Sequence, residues 1–232
     1  ASAAPAPSSP SKPRTALDFN LPKGDQFLLN SRGQRLHLRT FLPEAGEKSN
    51  ESVKALLFWY HGYAAHINGP TLVSFTRGMA AGGYAVIAVD QHGHGYSDGA
   101  TVLISDYKHL IADNLAVLDV VMKGTPDGEQ CSLGLDADVR DKMTKLPFFF
   151  GGQSLGGALS LLMALQVRGD PSRSDGDVAS KFMGAMLNCP AVKANYPPKP
   201  ILMLLKHVLA PIFPAKQIPK FMETGELLGV DS

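Results

Sequence analysis

The sequence has 232 residues, with 22 basic and 21 acidic side chains, a net charge of +1 and 44% hydrophobic residues. A chain of this length and composition buries one sizeable core, which excludes a disordered protein for most of the sequence. The near-neutral charge argues against a nucleic-acid partner, because binding to phosphates requires a positively charged surface.

The first 25 residues are predicted to lie outside the folded domain as a disordered tail. Residues 1–17 are rich in Ala, Pro and Ser, with two basic residues and no acidic one. Such a segment buries too little apolar area to become ordered. Processed targeting peptides share this composition, so the remnant of a chloroplast or mitochondrial targeting peptide is the second interpretation. Otherwise we expect an intracellular protein, cytoplasmic or at a membrane surface, with Cys131 and Cys189 as free thiols or one bridge.

Residues 26–195 are predicted to form an α/β core. The predicted strands are Phe27–Leu29, Arg35–Phe41, Lys54–Tyr60, Tyr84–Asp90, Leu146–Phe150 and Lys181–Leu187. The predicted helices are Thr71–Ala81, Asp106–Lys123 and Leu155–Arg168, and a polar surface insertion is expected at Cys131–Lys145. Buried strands that alternate with helices imply parallel crossovers, so we expect a mainly parallel sheet with helices on both faces.

The strongest chemical signal is Gly152-Gln153-Ser154-Leu155-Gly156-Gly157, between an apolar strand and an amphipathic helix. In this context the G-x-S-x-G pattern predicts a nucleophile elbow. The chain must reverse within very few residues, which strains Ser154 and leaves no room for a Cβ at Gly152 or Gly156. We expect the Ser154 hydroxyl to lie above the carboxyl edge of the sheet as a nucleophile.

Acyl transfer also needs two N–H donors at the position where the oxyanion develops. The residue after the nucleophile supplies one, so the first predicted donor is the backbone N–H of Leu155. The loop after an earlier strand supplies the other. Here that loop is His61-Gly62-Tyr63, which predicts the N–H of Tyr63 as the second donor.

A third motif, Asp90–Gly99, follows the next strand and contains His92-Gly93-His94-Gly95. Two histidines at this spacing, without matching Cys or acidic ligands, do not predict a metal site. We expect a tight hydrogen-bonded loop that shapes the floor of the site.

Together these motifs resemble the serine α/β-hydrolases of the monoacylglycerol lipase and lysophospholipase group (serine aminopeptidase S33-like). The matching segments are H-G-x-x-x-H at His61–His66, D-x-x-G-H-G-x-S-[DE]-G at Asp90–Gly99, G-x-S-x-G-G at Gly152–Gly157, and Leu187–Asn195, which resembles the approach to the family's cap. The resemblance implies an α/β-hydrolase fold, with the cap beginning within 196–232. It also implies an acyl-enzyme at Ser154, a small lipid-like ester substrate such as a monoacylglycerol or lysophospholipid, and no cofactor. The apolar segment Ile201–Phe213 is expected to line an acyl tunnel or to contact a membrane surface.

The resemblance also implies a catalytic Asp and His that follow the serine in the chain. Only 78 residues follow Ser154, and the later histidine is His207. The intervening acids, Asp170, Asp175 and Asp177, fall in a predicted polar loop, so none of these residues is well placed for a triad.

Two explanations remain open. In the first, the sequence is truncated within the cap and the missing strands, Asp and His lie downstream. In the second, the chain is a catalytically silent subunit of a larger assembly, in which a protein partner covers the incomplete sheet. An acyltransferase, with an alcohol in place of water as the acceptor, is a related alternative.

Overall fold

The computed structural model describes residues 25–43, 53–123, 137–169 and 176–192, together with Pro200 and Met203. The strands are β1 (Asp25–Leu29), β2 (Arg35–Phe41), β3 (Ala55–Tyr60), β4 (Tyr84–Val89), β5 (Phe148–Gln153) and β6 (Phe182–Asn188). The helices are α1 (Pro70–Ala81), α2 (Tyr107–Lys123), α3 (Ala137–Met143), α4 (Leu155–Gly169) and α5 (Gly176–Lys181). Helices alternate with strands from β3 onward, which confirms the predicted α/β class. Within the described ranges no helix is both long and apolar enough to cross a bilayer.

The strands form one six-stranded sheet in the order β1-β2-β4-β3-β5-β6. Strand β2 runs antiparallel to both β1 and β4, and the remaining pairs are parallel. The chain passes from β3 to β4 in one direction across the sheet and from β5 to β6 in the other. Ligands bind in such sheets at the carboxyl ends of the strands where the order reverses. This topology therefore points to the loops that follow β3 and β5.

Strand β3 lies at the centre of the core, and all six of its residues are buried. Alternate side chains face opposite sides of the sheet. Phe58 and Tyr60 belong to the larger apolar cluster, which includes residues of α2 and α4. Trp59 belongs to a smaller cluster with residues of α1, where its ring centroid lies 4.3 Å from that of Phe75. Apolar layers on both faces explain why this strand reads as an unbroken apolar run.

The structure corrects the predicted end of β5. The sequence placed the end at Phe150, but the strand continues to Gln153. Gly151 and Gly152 pair with Trp59 and Tyr60 of β3, so backbone hydrogen bonding extends the strand where the side-chain pattern stops. The elbow therefore begins directly from a sheet strand.

The predicted polar surface insertion, Cys131–Lys145, was wrong in part. It contains helix α3, and Met143 at the end of that helix is fully buried in the larger cluster. Helix α5 was also missed within a segment interpreted as a polar loop. Both helices are seven residues or shorter, and such lengths are too short to show a clear helical period.

Strand β1 begins at Asp25, which the sequence had assigned to the tail. Of the predicted cap segment Ile201–Phe213, only Met203 is described, in helical conformation. Cys189 is an exposed free thiol, and Cys131 lies outside the described residues.

Candidate active site

Ser154 lies at a sharp turn between β5 and α4, with a backbone φ of +53°. Non-glycine residues adopt this left-handed conformation at a cost of about 1–2 kcal/mol, so surrounding contacts must hold it in place. The N–H of Ser154 donates to the carbonyl of Asn188 over 2.9 Å, and the N–H of Ala191 donates to the Ser154 carbonyl over 3.0 Å. The end of β6 and the following residues therefore hold the turn from one side. The side chain of Ser154 is half-buried and not enclosed.

The glycines around Ser154 allow an unusually close backbone contact. A Cβ on Gly156 would overlap the carbonyl of Tyr60, and a Cβ on Gly152 would overlap the backbone of Gly156. A Cβ on Gly157 would lie 2.9 Å from the Cα of Pro190, closer than real Cβ contacts. The first turn of α4 thus packs directly on the end of β3. This contact is the steric reason that the sequence suggested for glycine at Gly152 and Gly156.

The loop after β3 lies directly beside the turn. A Cβ built on Gly62 would lie 3.6 Å from the Cβ of Ser154, so the gap between the two segments is about the size of one methyl group. The N–H groups of Tyr63 and Leu155 have no hydrogen-bond acceptor among the residues that the structure describes. The exposed Tyr63 side chain donates its hydroxyl to the carbonyl of Val102 over 3.0 Å. Within the described part of the chain, two amide donors are therefore unpaired, one on the residue after the serine and one in the neighbouring loop.

His61 is a buried link between the loops after β3 and β4. Its Nδ1 lies 2.7 Å from the Gly62 carbonyl, which can only accept, so Nδ1 carries the proton. Its Nε2 accepts a hydrogen bond from the N–H of Gln91 over 2.9 Å. Burial lowers the pKa of His61 to about 4, so the ring is neutral at pH 7. Because both ring nitrogens are occupied, His61 orders the loops and is not available to accept a proton from Ser154.

The loop that begins at Asp90 is folded around the buried carboxylate of that residue. Asp90 accepts hydrogen bonds from the N–H of Ile67 over 2.7 Å and the N–H of Tyr96 over 3.0 Å. Gly95 lies against the carboxylate so closely that a Cβ there would overlap it. The loop is therefore tightly bonded, and it is tied to the segment that follows His61.

His92 and His94 lie within this loop, next to Gly93 in the chain. Nδ1 of His94 lies 3.0 Å from the carbonyl of His92, and the His94 ring packs 5.2 Å from that of His61. Burial lowers the pKa of His92. Within the described ranges, neither histidine is hydrogen-bonded to Ser154, and no group of three potential metal ligands is found.

A cavity of about 650 Å³ opens beside the turn. Its lining combines the loop after β3 with Gln153, which precedes the serine, and with the end of β6. The apolar part of the lining consists of Trp59, Ala64, Ala65, Pro70, Leu72, Phe75, Met186 and Leu187. The cavity can therefore accept an apolar group next to the turn.

The structure does not describe the side chains of the acidic residues and the histidine that were weighed as triad partners of Ser154 in the sequence analysis. His207, Asp170 and Asp175 lie outside the described residues, and the side chain of Asp177 is not described. Among the described residues, no histidine nitrogen is hydrogen-bonded to the Ser154 hydroxyl.

Sequence reasoning missed two sets of residues around the site. The carbonyl of Asn188 and the N–H of Ala191 hold the turn, although the sequence only associated this segment with the approach to a cap. The sequence analysis also missed the buried polar side chains of Asp25, His37 and Arg39. The signal for these was present, because charged residues interrupt strands that otherwise read as apolar.

A strand–turn–helix serine at the switch point of a mainly parallel sheet defines the chain as an α/β-hydrolase. The chain belongs to the serine aminopeptidase S33 family, whose model matches residues 51–228. This confirms the resemblance noted from the motifs.

The chain is similar in sequence to proteins named as a lipase and as an esterase. The chain is 29% identical over 178 residues to a monoglyceride lipase of Mus musculus, covering 76% of this chain and 46% of that protein. It is 31% identical over 132 residues to a caffeoylshikimate esterase of Arabidopsis thaliana, covering 57% of this chain and 33% of that protein. The chain thus spans less than half the length of these two relatives.

Solved structures support the fold. A soluble variant of monoglyceride lipase from Saccharomyces cerevisiae, in complex with a substrate analog, superposes with a TM-score of 0.53 at 15% identity. The match covers 90% of this chain and 55% of that structure.

Proposed function

We propose that this chain carries the nucleophile and the oxyanion site of a serine carboxylic ester hydrolase. The observation that carries the proposal is the left-handed, half-buried Ser154, which lies next to the Gly62 loop and is followed by Leu155. Among the described residues, the N–H groups of Tyr63 and Leu155 have no acceptor. The family match, and relatives named as a lipase and an esterase, support the same class of reaction.

In the proposed reaction, Ser154 Oγ attacks the carbonyl carbon of the ester and loses its proton to a general base. The carbonyl oxygen becomes an oxyanion, which accepts hydrogen bonds from the N–H groups of Tyr63 and Leu155. The protonated base then returns the proton to the departing alcohol as the tetrahedral intermediate collapses, and the acyl group remains on Ser154. Water hydrolyses this acyl-enzyme. We assign no described residue as the base, since His61 has both ring nitrogens occupied.

We further propose a lipid-like acyl ester, such as a monoacylglycerol or lysophospholipid, as the substrate. Two observations support it: relatives of the chain are named monoglyceride lipase, and the cavity beside Gly62 and Gln153 has an apolar lining. An acyl chain gains free energy from such a lining at about 0.8 kcal/mol for each buried methylene.

A fluorophosphonate probe tests the nucleophile, because it reacts only with an activated serine. We expect labelling of the chain to be abolished in Ser154→Ala. The matched control is Ser74→Ala, which removes an exposed hydroxyl from α1 and should leave labelling unchanged. Labelling that persists in Ser154→Ala would reject the assignment.

A substrate series tests the acyl group. We expect a long-chain monoacylglycerol to be hydrolysed with a higher kcat/KM than its short-chain analogues, since each methylene adds to apolar burial. A hydroxycinnamate ester is the informative competitor, given the caffeoylshikimate esterase relative. Preference for that ester would replace the lipid-like substrate with an aromatic one.

A catalytically silent subunit is the second candidate function, and the edge of the sheet favours it. Strand β6 pairs with β5 on one side, and most of its residues are exposed, including Met183, Met186 and Leu187. Exposed apolar strand edges favour pairing with further polypeptide. Absence of labelling, together with stable co-purification of a second protein, would support this candidate over the hydrolase.

A further inference from the structure

Four ionisable side chains form a buried cluster beneath the loop that begins at Asp90. His37 on β2 is fully buried between two carboxylates, with Nδ1 2.7 Å from Asp90 Oδ2 and Nε2 3.0 Å from Asp25 Oδ2. Arg39, also on β2, donates to both oxygens of Asp25 through Nε and Nη2. The cluster thus joins β1, β2 and the end of β4.

The hydrogen bonds determine the charge of His37. An ionised carboxylate only accepts hydrogen bonds, so both ring nitrogens of His37 must donate, which requires the imidazolium form. Asp25 is held ionised by Arg39, and Asp90 accepts two backbone N–H groups as well as the imidazole. Two cations then balance two anions. A neutral His37 would leave a net negative charge in a buried cluster, which is unfavourable.

The surroundings support this assignment. Burial would lower the pKa of His37, but the hydrogen bonds and charges of Asp25 and Asp90 outweigh it, so that the pKa is raised. The rings of Phe27 and Tyr96 pack on the imidazole at 5.6 and 5.2 Å between centroids. Among the described residues, the other ionisable groups near the cluster are His61, whose Nε2 is 4.0 Å from Asp90 Oδ1, and the Arg35–Asp98 pair.

Asp90 links His37 to the loop after β3 by hydrogen bonds. Its Oδ1 accepts from the N–H of the fully buried Ile67, and its Oδ2 is shared between His37 and the N–H of Tyr96. Ile67 closes the segment that begins at His61 and contains Tyr63. Rotation of the Asp90 carboxylate would break the bond that anchors this segment.

We propose that His37 is a positioning residue, which holds Asp90 in the orientation that fixes the Tyr63 loop beside Ser154. The proposal rests on the proposed function through the role of Tyr63 as an oxyanion donor. Deprotonation of His37 leaves one ring nitrogen without a proton against a carboxylate, so one of the two hydrogen bonds is lost. His37 therefore holds Asp90 in this orientation at pH values below the pKa of His37 in the folded chain. The effect is lost as the pH rises through that pKa.

Amide hydrogen exchange of the 232-residue chain tests the link directly. In the wild type, we expect exchange at Ile67 and Tyr96, corrected for intrinsic rates, to become about tenfold faster as His37 loses its proton. The imidazole ¹⁵N shifts of His37 report that titration. In His37→Gln, the amides of Ile67 and Tyr96 should exchange fast at every pH, and the pH-dependent step should be absent. His109→Gln, which changes a partly exposed histidine on α2, should retain it.

Asp25→Asn provides a second variant that keeps His37. Removing one of the two carboxylates should shift the exchange step to lower pH, because less negative charge then stabilises the imidazolium. Wild-type protection and an unchanged step in His37→Gln would overturn the proposal. If His37→Gln does not fold, the Asp25→Asn variant decides: an exchange step at the same pH as in the wild type overturns the proposal.

The rate at which a fluorophosphonate labels Ser154 connects the cluster to the site. We expect this rate to fall over the same pH step in the wild type, and the step to move to lower pH in Asp25→Asn. Labelling without any such step would overturn the positioning role. Absence of labelling at every pH would instead reject the proposed function, while hydrogen exchange would still decide whether His37 holds Asp90.

Discussion

The neutral, buried His61 predicts a specific loss of stability in acid. Its pKa is lowered from 6.5 to about 4, mainly by burial, so folding favours the uncharged ring. Because the folded chain binds this proton less readily than the unfolded chain, acid favours unfolding. The stability is therefore complete above the pKa of His61 in the unfolded chain and decreases as the pH falls towards the pKa in the folded chain. Between about pH 7 and pH 4.5, this single group should cost about 2–3 kcal/mol of unfolding free energy, at 1.36 kcal/mol per pKa unit.

The variant His61→Gln isolates this contribution. Its amide oxygen can still accept the hydrogen bond from the N–H of Gln91, but the side chain does not titrate. Urea unfolding at several pH values should show wild type more stable near neutral pH, with the advantage shrinking by about 2–3 kcal/mol near pH 4.5. Titration of the other groups is common to both proteins. Parallel stability curves for the two proteins would refute the assignment of a neutral, doubly hydrogen-bonded His61.

Three further predictions concern the turn and the core, and urea unfolding tests each of them. Ser154→Gly should be about 1 kcal/mol more stable than Ser154→Ala, because glycine relieves the left-handed backbone at +53°; equal stabilities would contradict strain at this position. Gly156→Ala should destabilise by about 3 kcal/mol or more, since its Cβ would overlap the Tyr60 carbonyl, whereas Gly78→Ala on the open face of α1 should stabilise by about 0.5–1 kcal/mol. A mild effect of Gly156→Ala would show that the helix can move away from β3. Tyr60→Phe should be neutral or stabilising by about 1 kcal/mol, because the buried hydroxyl has no hydrogen-bond partner among the described residues; a clear loss of stability would reveal a bond to that hydroxyl.

Local patterns predicted much of the framework. The apolar runs of β3 and β4 and the amphipathic α2 depend on the order of neighbouring residues, and the structure confirms them within one or two residues. The turn at Ser154 was also predictable, because the steric requirement for glycine on both sides acts over a few bonds. Helices α3 and α5 were not predictable in this way, since their stability comes from packing of short segments against the core.

The sequence by itself determined the α/β class, the turn that presents Ser154 and the loop motifs that accompany it. Only the tertiary structure decided the order of the strands, the backbone hydrogen bonds of Ser154 with Asn188 and Ala191 that hold the turn, and the proton position on His61. It also brought together His37 and Asp90, which are 53 residues apart in the chain. Patterns of neighbouring residues encode helices, strands and turns, whereas the partner of a buried polar group depends on which distant segments the sheet places side by side.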